Sequence, residues 1–499
     1  MNAWPYAQSS SRTRSSVGRD SVEPCIDENL TSARQSLAPP CKAASNWFPG
    51  TPLTRRTLLK RSIFGFGYLA FAGVASFAAG RVSPLAAKSG HFAARAKRVI
   101  FLAMRGAPSQ HDLFDPKPAV NRLDGKASEV QGRKYVASPW KFARHGRSGL
   151  EISEALPHLS RHADELCVIR SMKTDDQTHT ASFVQLHTGS ARFVRPSIGS
   201  WVLYGLGSEN ENLPGFVTIR PTIQFGGVQN YGCAFLPAMF QGTPIWNPQQ
   251  PNGGVEDIAN RRMPRELQRQ HLDLIQSYNQ SAAARSPQDS RIEGVIQSYE
   301  LAFRMQMTLP EVMDLSKETA STQAKYGLGN PATDAFGRQC LLARRLAESG
   351  VRFIELMDED WDQHLNMKEA LGARCRAVDQ PIAALLDDLK QHGLLDDTLL
   401  VWGGEFGRTP DNDRPDGRNH NSHGFTMWLA GGGVKGGQAY GATDELGYRA
   451  VDKAVHVHDL HATVLHLLGL DHERLTFRQN GRDFRLTDVY GNVVRDLIA

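Results

Sequence analysis

Cysteine is scarce in this chain and never closely paired. The six cysteines stand at Cys25, Cys41, Cys167, Cys233, Cys340 and Cys375. No Cys-x-x-Cys occurs among them, which excludes the common zinc–thiolate frameworks. The four later residues are expected either as partly buried thiols or as one or two bridges. Charge of one sign is also missing: 57 Lys and Arg face 52 Asp and Glu, a net charge of +5. Much of the basic excess lies in the first hundred residues, so no concentrated basic face remains for nucleic acid. Internal repeats are absent, and no Pro/Ser-rich linker divides residues 95–499. With 40% hydrophobic and 22% charged residues, the chain has enough apolar material for a sizeable core and is not globally disordered.

One long uncharged apolar run is present, from Ser62 to Gly80. It follows Thr54-Arg55-Arg56-Thr57-Leu58-Leu59-Lys60 and leads to small residues between Ala78 and Ala87. A basic segment, an apolar segment and small residues make a signal peptide, and the paired arginines point to the twin-arginine route. Gly65, Gly67 and Gly73 keep the run mildly hydrophobic, which suits that route. A membrane anchor is the competing reading, because the run is just long enough to span a bilayer. Residues 51–90 are therefore expected as a twin-arginine signal peptide, with a periplasmic or secreted product and no stable membrane span after processing. The twin-arginine export machinery is the expected partner. Residues 1–50, rich in Ser, Pro, Asn and Arg without periodicity, are expected as a disordered extension.

The remainder alternates strand and helix signals. Apolar runs predict strands at 98–104, 166–170, 351–357, 398–402 and 425–430. Helical spacing predicts helices at 152–163, 180–187, 336–349, 375–392 and 456–468, the last three closed by Gly350, Gly393 and Gly469. Residues 255–310 read as mostly helical. Such alternation with short glycine-closed turns predicts an α/β fold with a mostly parallel sheet covered on both faces. One domain over 95–499, with a mainly helical insertion at about 230–330, is the expected layout.

In open α/β sheets, ligands sit beyond the carboxyl ends of the strands. The loops there carry Ser109, Gln110, His111, Asp112 and Asp115; Asp175, Asp176, Thr178, His179 and Thr180; Asp358, Asp360, Asp362 and His364; Glu405 and Arg408. Asn419, His420 and His423 precede strand 425–430. Carboxylates and imidazoles are the side chains that hold Zn, Mn or Mg, and their gathering on one edge points to a metal site more strongly than any single residue. Individually, Glu405 can cap a turn, Arg408 can pair with it, and His420 can equally be a loop hydrogen bonder. Two metals in such a site clamp a phosphoryl or sulfuryl group. Thr178, Thr180 and Ser182, at a helix start, are candidate nucleophiles or plain helix caps. Arg170 or Arg408 can hold non-bridging oxygens. Asp459 reads as a helix cap, and His456, His458 and His461 as mainly structural.

The segments FLAMRGAPSQHDLFDPKP, SGLEISEALPHLSRHADELCVIRSM, FGRQCLLARRLAESGVRF, LLVWGGEFGRTP, GFTMWLAGGGVKGG and VHDLHATVLHLLGL resemble the exported domain-of-unknown-function 1501 family, from about Arg98 to the C-terminus. That family is similar in fold to the alkaline phosphatase and sulfatase superfamily. The resemblance implies a three-layer α/β sandwich, alkaline phosphatase-like, with a mostly parallel central sheet. It implies Asp112 as a first metal-binding aspartate, Asp362 and His364 as an Asp/His pair, and His420 as the last ligand. Glu405 stands where the superfamily has an Asp followed by His, and Asp459, Ala462 and Thr463 resemble a structural helix start. Three departures stand out. No Cys or Ser lies in the C/S-x-P-x-R signature of formylglycine sulfatases. Glu405-Phe406 removes one expected ligand. The superfamily nucleophile has no clear counterpart.

The expectations that follow are an exported hydrolase of phosphate or sulfate esters that uses a divalent metal (Zn, Mn, Mg or Ca). Asp112, Asp362, His364, Glu405 and His420 hold the metal, Arg408 assists, and Thr180 or a metal-bound water attacks a small-molecule or glycan ester. The alternatives are a non-catalytic cell-envelope binding protein of the same fold, and a sheet edge that binds a partner enzyme or surface polymer.

Overall fold

A computed structural model of the chain describes residues 85–250, 254–255, 258, 262–285 and 290–499. The expected N-terminal extension lies outside the described residues, as does the expected signal segment apart from residues 85–90. Among the described residues, no helix is long and apolar enough to cross a membrane.

Nine strands form the central sheet: β1 (Arg98–Met104), β2 (Leu166–Lys173), β3 (Phe216–Ile219), β4 (Thr243–Ile245), β5 (Phe353–Asp358), β6 (Thr398–Gly403), β7 (Phe425–Ala430), β8 (Gln438–Tyr440) and β9 (Val455–His456). Their spatial order is β8-β2-β7-β6-β1-β5-β3-β4, with β9 also paired to β2. Only β7 is antiparallel to its neighbours; the other pairings are parallel. β1, β5 and β6 are buried along their whole length, because both faces of the sheet are covered. Strand geometry sends alternate side chains to opposite faces. Ile100, Leu102 and Met104 of β1 therefore join one apolar core, and Val99, Phe101 and Ala103 the other. Burying each large apolar side chain stabilises the fold by about 1.5–3 kcal/mol.

The first core is closed by α4 (Ser290–Met313), α5 (Asp334–Glu348) and α6 (Met367–Gln391), through residues such as Leu309, Leu342 and Leu385. The second is closed by α1 (His179–Thr188), α2 (Ile198–Leu206) and α7 (Val457–Leu467), through Phe183, Trp201 and Val464. The result is a three-layer α/β sandwich with a mostly parallel central sheet. α3 (Arg265–Arg285) packs on α4 between β4 and β5.

Two expectations need correction. Residues 152–163 are not a helix: Leu150–Ser153 pairs with Phe142–His145 in a hairpin, and a single tight turn follows at Leu159–His162. Pro157 is the reason, since it lacks a donor and pushes Leu156 away from helical backbone. The apolar residues Ile152, Leu156 and Leu159 still reach the core. α6 begins at Met367 rather than Cys375, with Met367, Leu371, Cys375 and Val378 on one buried face; Gly372 weakens the helical signal of that first part. All four described cysteines are free and buried.

Candidate metal centre

The strand directions gather the site. β1, β2, β5 and β6 all end at the same edge of the sheet. β7 runs the other way, so the residues before it arrive at that edge too. Gly106 and Ala107 turn the chain after β1, with φ of 112° and 70°. A Cβ at Gly106 would lie 2.7–2.9 Å from the backbone of Trp361 and Asp362, so only glycine lets the loop after β5 come this close. That loop carries Asp362 and His364. After β6 comes Glu405, then Gly407–Arg408, paired with His420–Asn421. His179 opens α1 after β2.

One donor atom each from His179, Asp362, His364 and His420 lies within 4.8 Å of all the others. Nε2 of His364, His179 and His420 stands 3.0, 3.2 and 3.5 Å from Asp362 Oδ1. The Nε2 atoms of His364 and His420 are 3.0 Å apart. Donors around a tetrahedral ion with bonds of 2.0–2.1 Å stand about 3.3 Å apart.

The hydrogen bonds fix which ring nitrogens carry protons. His179 Nδ1 lies 2.6 Å from Glu405 Oε1, and His420 Nδ1 lies 2.7 Å from the carbonyl of Gln177. Both partners are acceptors, so both Nδ1 atoms donate and each neutral ring presents an Nε2 lone pair to the centre. His179 Nε2 is buried and makes no hydrogen bond among the described residues. Two converging lone pairs beside a carboxylate repel unless a proton or cation lies between them, and the donor set fits a cation.

The electrostatics agree. Burial opposes ionisation of Asp362, but His179, His364, His420 and Arg408 outweigh it and hold its carboxyl well below the usual range. Burial likewise opposes charging of His179, and the Asp362 and Glu405 carboxylates outweigh it, raising its pKa. The side chains of Asp362 and His364 are 40% and 36% exposed, so the centre is open to a ligand.

The other residues singled out in the sequence take different places. Glu405 is wholly buried behind His179 and also accepts from the Gly106 amide at 3.0 and 3.2 Å. It stands one shell behind the quartet. Arg408 is buried, donates to Asp362 Oδ1 at 2.6 Å and to the carbonyls of Ala107, at 2.9 Å, and Gly106. Its Nη1 lies 3.4 Å from both His364 Nε2 and the Arg418 carbonyl, so its donors serve protein groups rather than an incoming oxyanion. Asp112 is outside the quartet: Arg418 takes both of its oxygens, at 2.7 and 3.1 Å. Thr180 is exposed in the first turn of α1, beside His179. Thr178 is bonded to Asp176, and Ser182 to the Asp176 carbonyl. Arg170 approaches Asp115 and Glu151 instead. Asp459 caps α7 by accepting from the His456 amide. His458 and His461 meet backbone carbonyls.

The sequence places His179 at this edge, but the chosen ligand set left it out in favour of the hydroxyls on either side. Its signal is there: an imidazole at a helix start directly beyond a parallel strand. Phe406, in the place of an expected ligand, packs on the rings of His179 and His420 with centroids 4.9 and 4.6 Å apart. Phe225 stacks on His179 at 4.9 Å. A cleft of about 580 Å³ adjoins His420, lined by Gln177, Thr409, Arg133, Tyr448 and Arg449 among others. That volume falls within the range of small-molecule sites.

Fold and site together define a three-layer α/β protein with three imidazoles and one carboxylate converging at the carboxyl edge of its sheet. Residues 96–498 match the family described as protein of unknown function, DUF1501, and the chain belongs to that family. No curated protein matches the chain in sequence. Among solved structures, it is similar to the lipoteichoic acid synthase LtaP from Listeria monocytogenes, with 10% identity over 81% of this chain and 78% of that one and a TM-score of 0.33. It is also similar to the PsFucS1 sulfatase from Pseudoalteromonas sp., with 13% identity over 76% and 69% and a TM-score of 0.33. A third is the alkaline phosphatase from the Antarctic bacterium TAB5, with 12% identity over 75% and 98% and a TM-score of 0.31.

Proposed function

We propose that the chain is an exported, metal-dependent hydrolase of phosphate or sulfate esters that works without formylglycine. The observation that carries the reading is the pair of Nε2 lone pairs, on His179 and His420, turned toward Asp362 in a pocket open to solvent. Three nitrogens and one oxygen suit zinc or a similar first-row ion better than the all-oxygen shells of calcium and magnesium. His179, Asp362, His364 and His420 would hold it. Such an ion, when bound, polarises an ester oxygen and lowers the pKa of a water molecule. Glu405 keeps His179 in the tautomer that offers Nε2, and Arg408 keeps Asp362 ionised and aimed. The cleft beside His420 would receive the alcohol portion of a small-molecule or glycan ester. The attacking group is water or the Thr180 hydroxyl; a covalent intermediate lost in Thr180→Ala identifies the hydroxyl.

Turnover of aryl phosphate and aryl sulfate esters tests the reading, with zinc or manganese supplied to the purified mature protein. Activity that disappears with EDTA and with His364→Ala supports the hydrolase. No turnover with any metal contradicts it and supports a second reading, a cell-envelope binding protein. The quartet itself favours that alternative in one respect: four protein donors fill a tetrahedral shell, as in structural sites. Export by the twin-arginine route is tested by fractionation, where replacing Arg55 and Arg56 with Lys should leave the protein in the cytoplasm.

A further inference from the structure

Four acidic side chains of the loops at this edge, Asp112, Glu405, Asp115 and Asp411, meet protein donors. Asp112 is wholly buried, and its two oxygens meet Nε and Nη2 of Arg418 at 2.7 and 3.1 Å. Ser109 Oγ donates to the same carboxylate. The guanidinium of Arg418 is itself 1% exposed, and its remaining Nη1 meets the Thr409 carbonyl at 3.3 Å. The neighbouring Gln110 ties this short segment to the backbone of Arg408, accepting from its amide at 2.8 Å and donating to its carbonyl at 2.7 Å. Glu405 is held by His179 and the Gly106 amide. Asp115 takes Thr443 and Lys117, and Asp411 takes Ser128 and Tyr448. Among the described residues, the quartet is the one group of three or more His, Cys, Asp or Glu placed to hold an ion.

A second cation beside the first needs carboxylate oxygens of its own. For Asp112 to supply them it must leave Arg418, which would strand a buried guanidinium without a counter-charge, among the most destabilising changes available to a folded interior. We infer that the chain binds a single divalent cation, and that Arg418 is a positioning residue that holds Asp112 out of the coordination shell. The inference rests on the cation reading above. It replaces the two-metal clamp suggested by the sequence with one ion and a fixed internal ion pair.

The test counts ions and needs no turnover. The mature protein is loaded with excess zinc, desalted, and examined by native mass spectrometry with elemental analysis. One ion per chain is expected in the wild type and in Asp112→Asn, and at least a 100-fold loss of zinc affinity in Asp362→Asn. Two ions in the wild type, falling to one in Asp112→Asn, overturn the inference and leave the hydrolase reading standing; no ion in the wild type overturns both. The role of Arg418 has its own readout, the visible spectrum of the cobalt-loaded protein, which reports coordination number. In Arg418→Gln the freed Asp112 is expected to raise that number or recruit a second cobalt. A folded Arg418→Gln protein with an unchanged spectrum and one cobalt overturns the assignment of Arg418. The wild-type count stands even where a variant does not fold.

Discussion

His179 and Glu405 form a dyad, with Nδ1 2.6 Å from a carboxylate oxygen that has no solvent contact. A carboxylate behind a ligating imidazole sets its tautomer, fixes the ring and makes the far nitrogen a better donor. Glu405→Gln keeps the shape and removes the charge. Zinc affinity, measured by competition with a chelator, should fall by roughly 10–100-fold while the fold persists. An unchanged affinity would mean that Glu405 has no hold on the centre.

Gly106 is the hinge on which the centre is assembled. Its φ of 112° is costly for any other residue, and an added Cβ would press on the Trp361 and Asp362 backbone. Gly106→Ala should destabilise the protein by about 1–3 kcal/mol. It should also weaken zinc binding by displacing Asp362. Thermal unfolding with and without zinc separates the two effects: a variant as stable as wild type with full affinity would show the turn to be undemanding.

Zinc uptake should depend on pH through His179. The flanking carboxylates raise its pKa, so its ring accepts a proton at a higher pH than free imidazole does. The metal needs the neutral ring. Affinity should therefore rise with pH and begin to fall, on acidification, above the ordinary histidine value of about 6.5. In Glu405→Gln one of the raising charges is gone, so the fall should shift to lower pH. A calorimetric pH series shows whether the shift occurs.

Asp358 gives a pH signature that does not involve the centre. Burial pushes its carboxyl up from 3.8 to about 6, against the charge of Arg374. A raised carboxyl binds its proton more tightly in the folded state than in the unfolded one, so folding loses stability as pH rises from about 4 through 6. The full penalty at neutral pH is roughly 3 kcal/mol. Asp358→Asn should be more stable than wild type at pH 8, with the difference shrinking toward zero at pH 4. Denaturant unfolding at the two values checks this; equal differences at both would contradict it.

The sheet was legible because strands buried on both faces read as unbroken apolar runs, as in Arg98–Met104 and Phe425–Ala430. Helical spacing misled at residues 152–163, where the apolar residues are core residues but Pro157 forbids the helix. At the edge of the sheet, residue type and loop position brought Asp362, His364 and His420 into view. They did not tell which donor meets which partner. Arg418 lies 306 positions from Asp112, and nothing local in the sequence says that it claims that carboxylate. Glu405 looks like a ligand in sequence because the imidazole between it and the centre belongs to another loop. His179 was hidden by its neighbours Thr178 and Thr180, whose hydroxyls suggest chemistry by themselves.

The central claim is that three imidazoles and one carboxylate hold a metal ion. Anomalous diffraction from crystals of the zinc-loaded protein, recorded on either side of the zinc edge, tests it most directly. A single peak is predicted about 2 Å from Nε2 of His179, His364 and His420 and from Oδ1 of Asp362. No peak there, or a peak bound instead by Asp112, would contradict it.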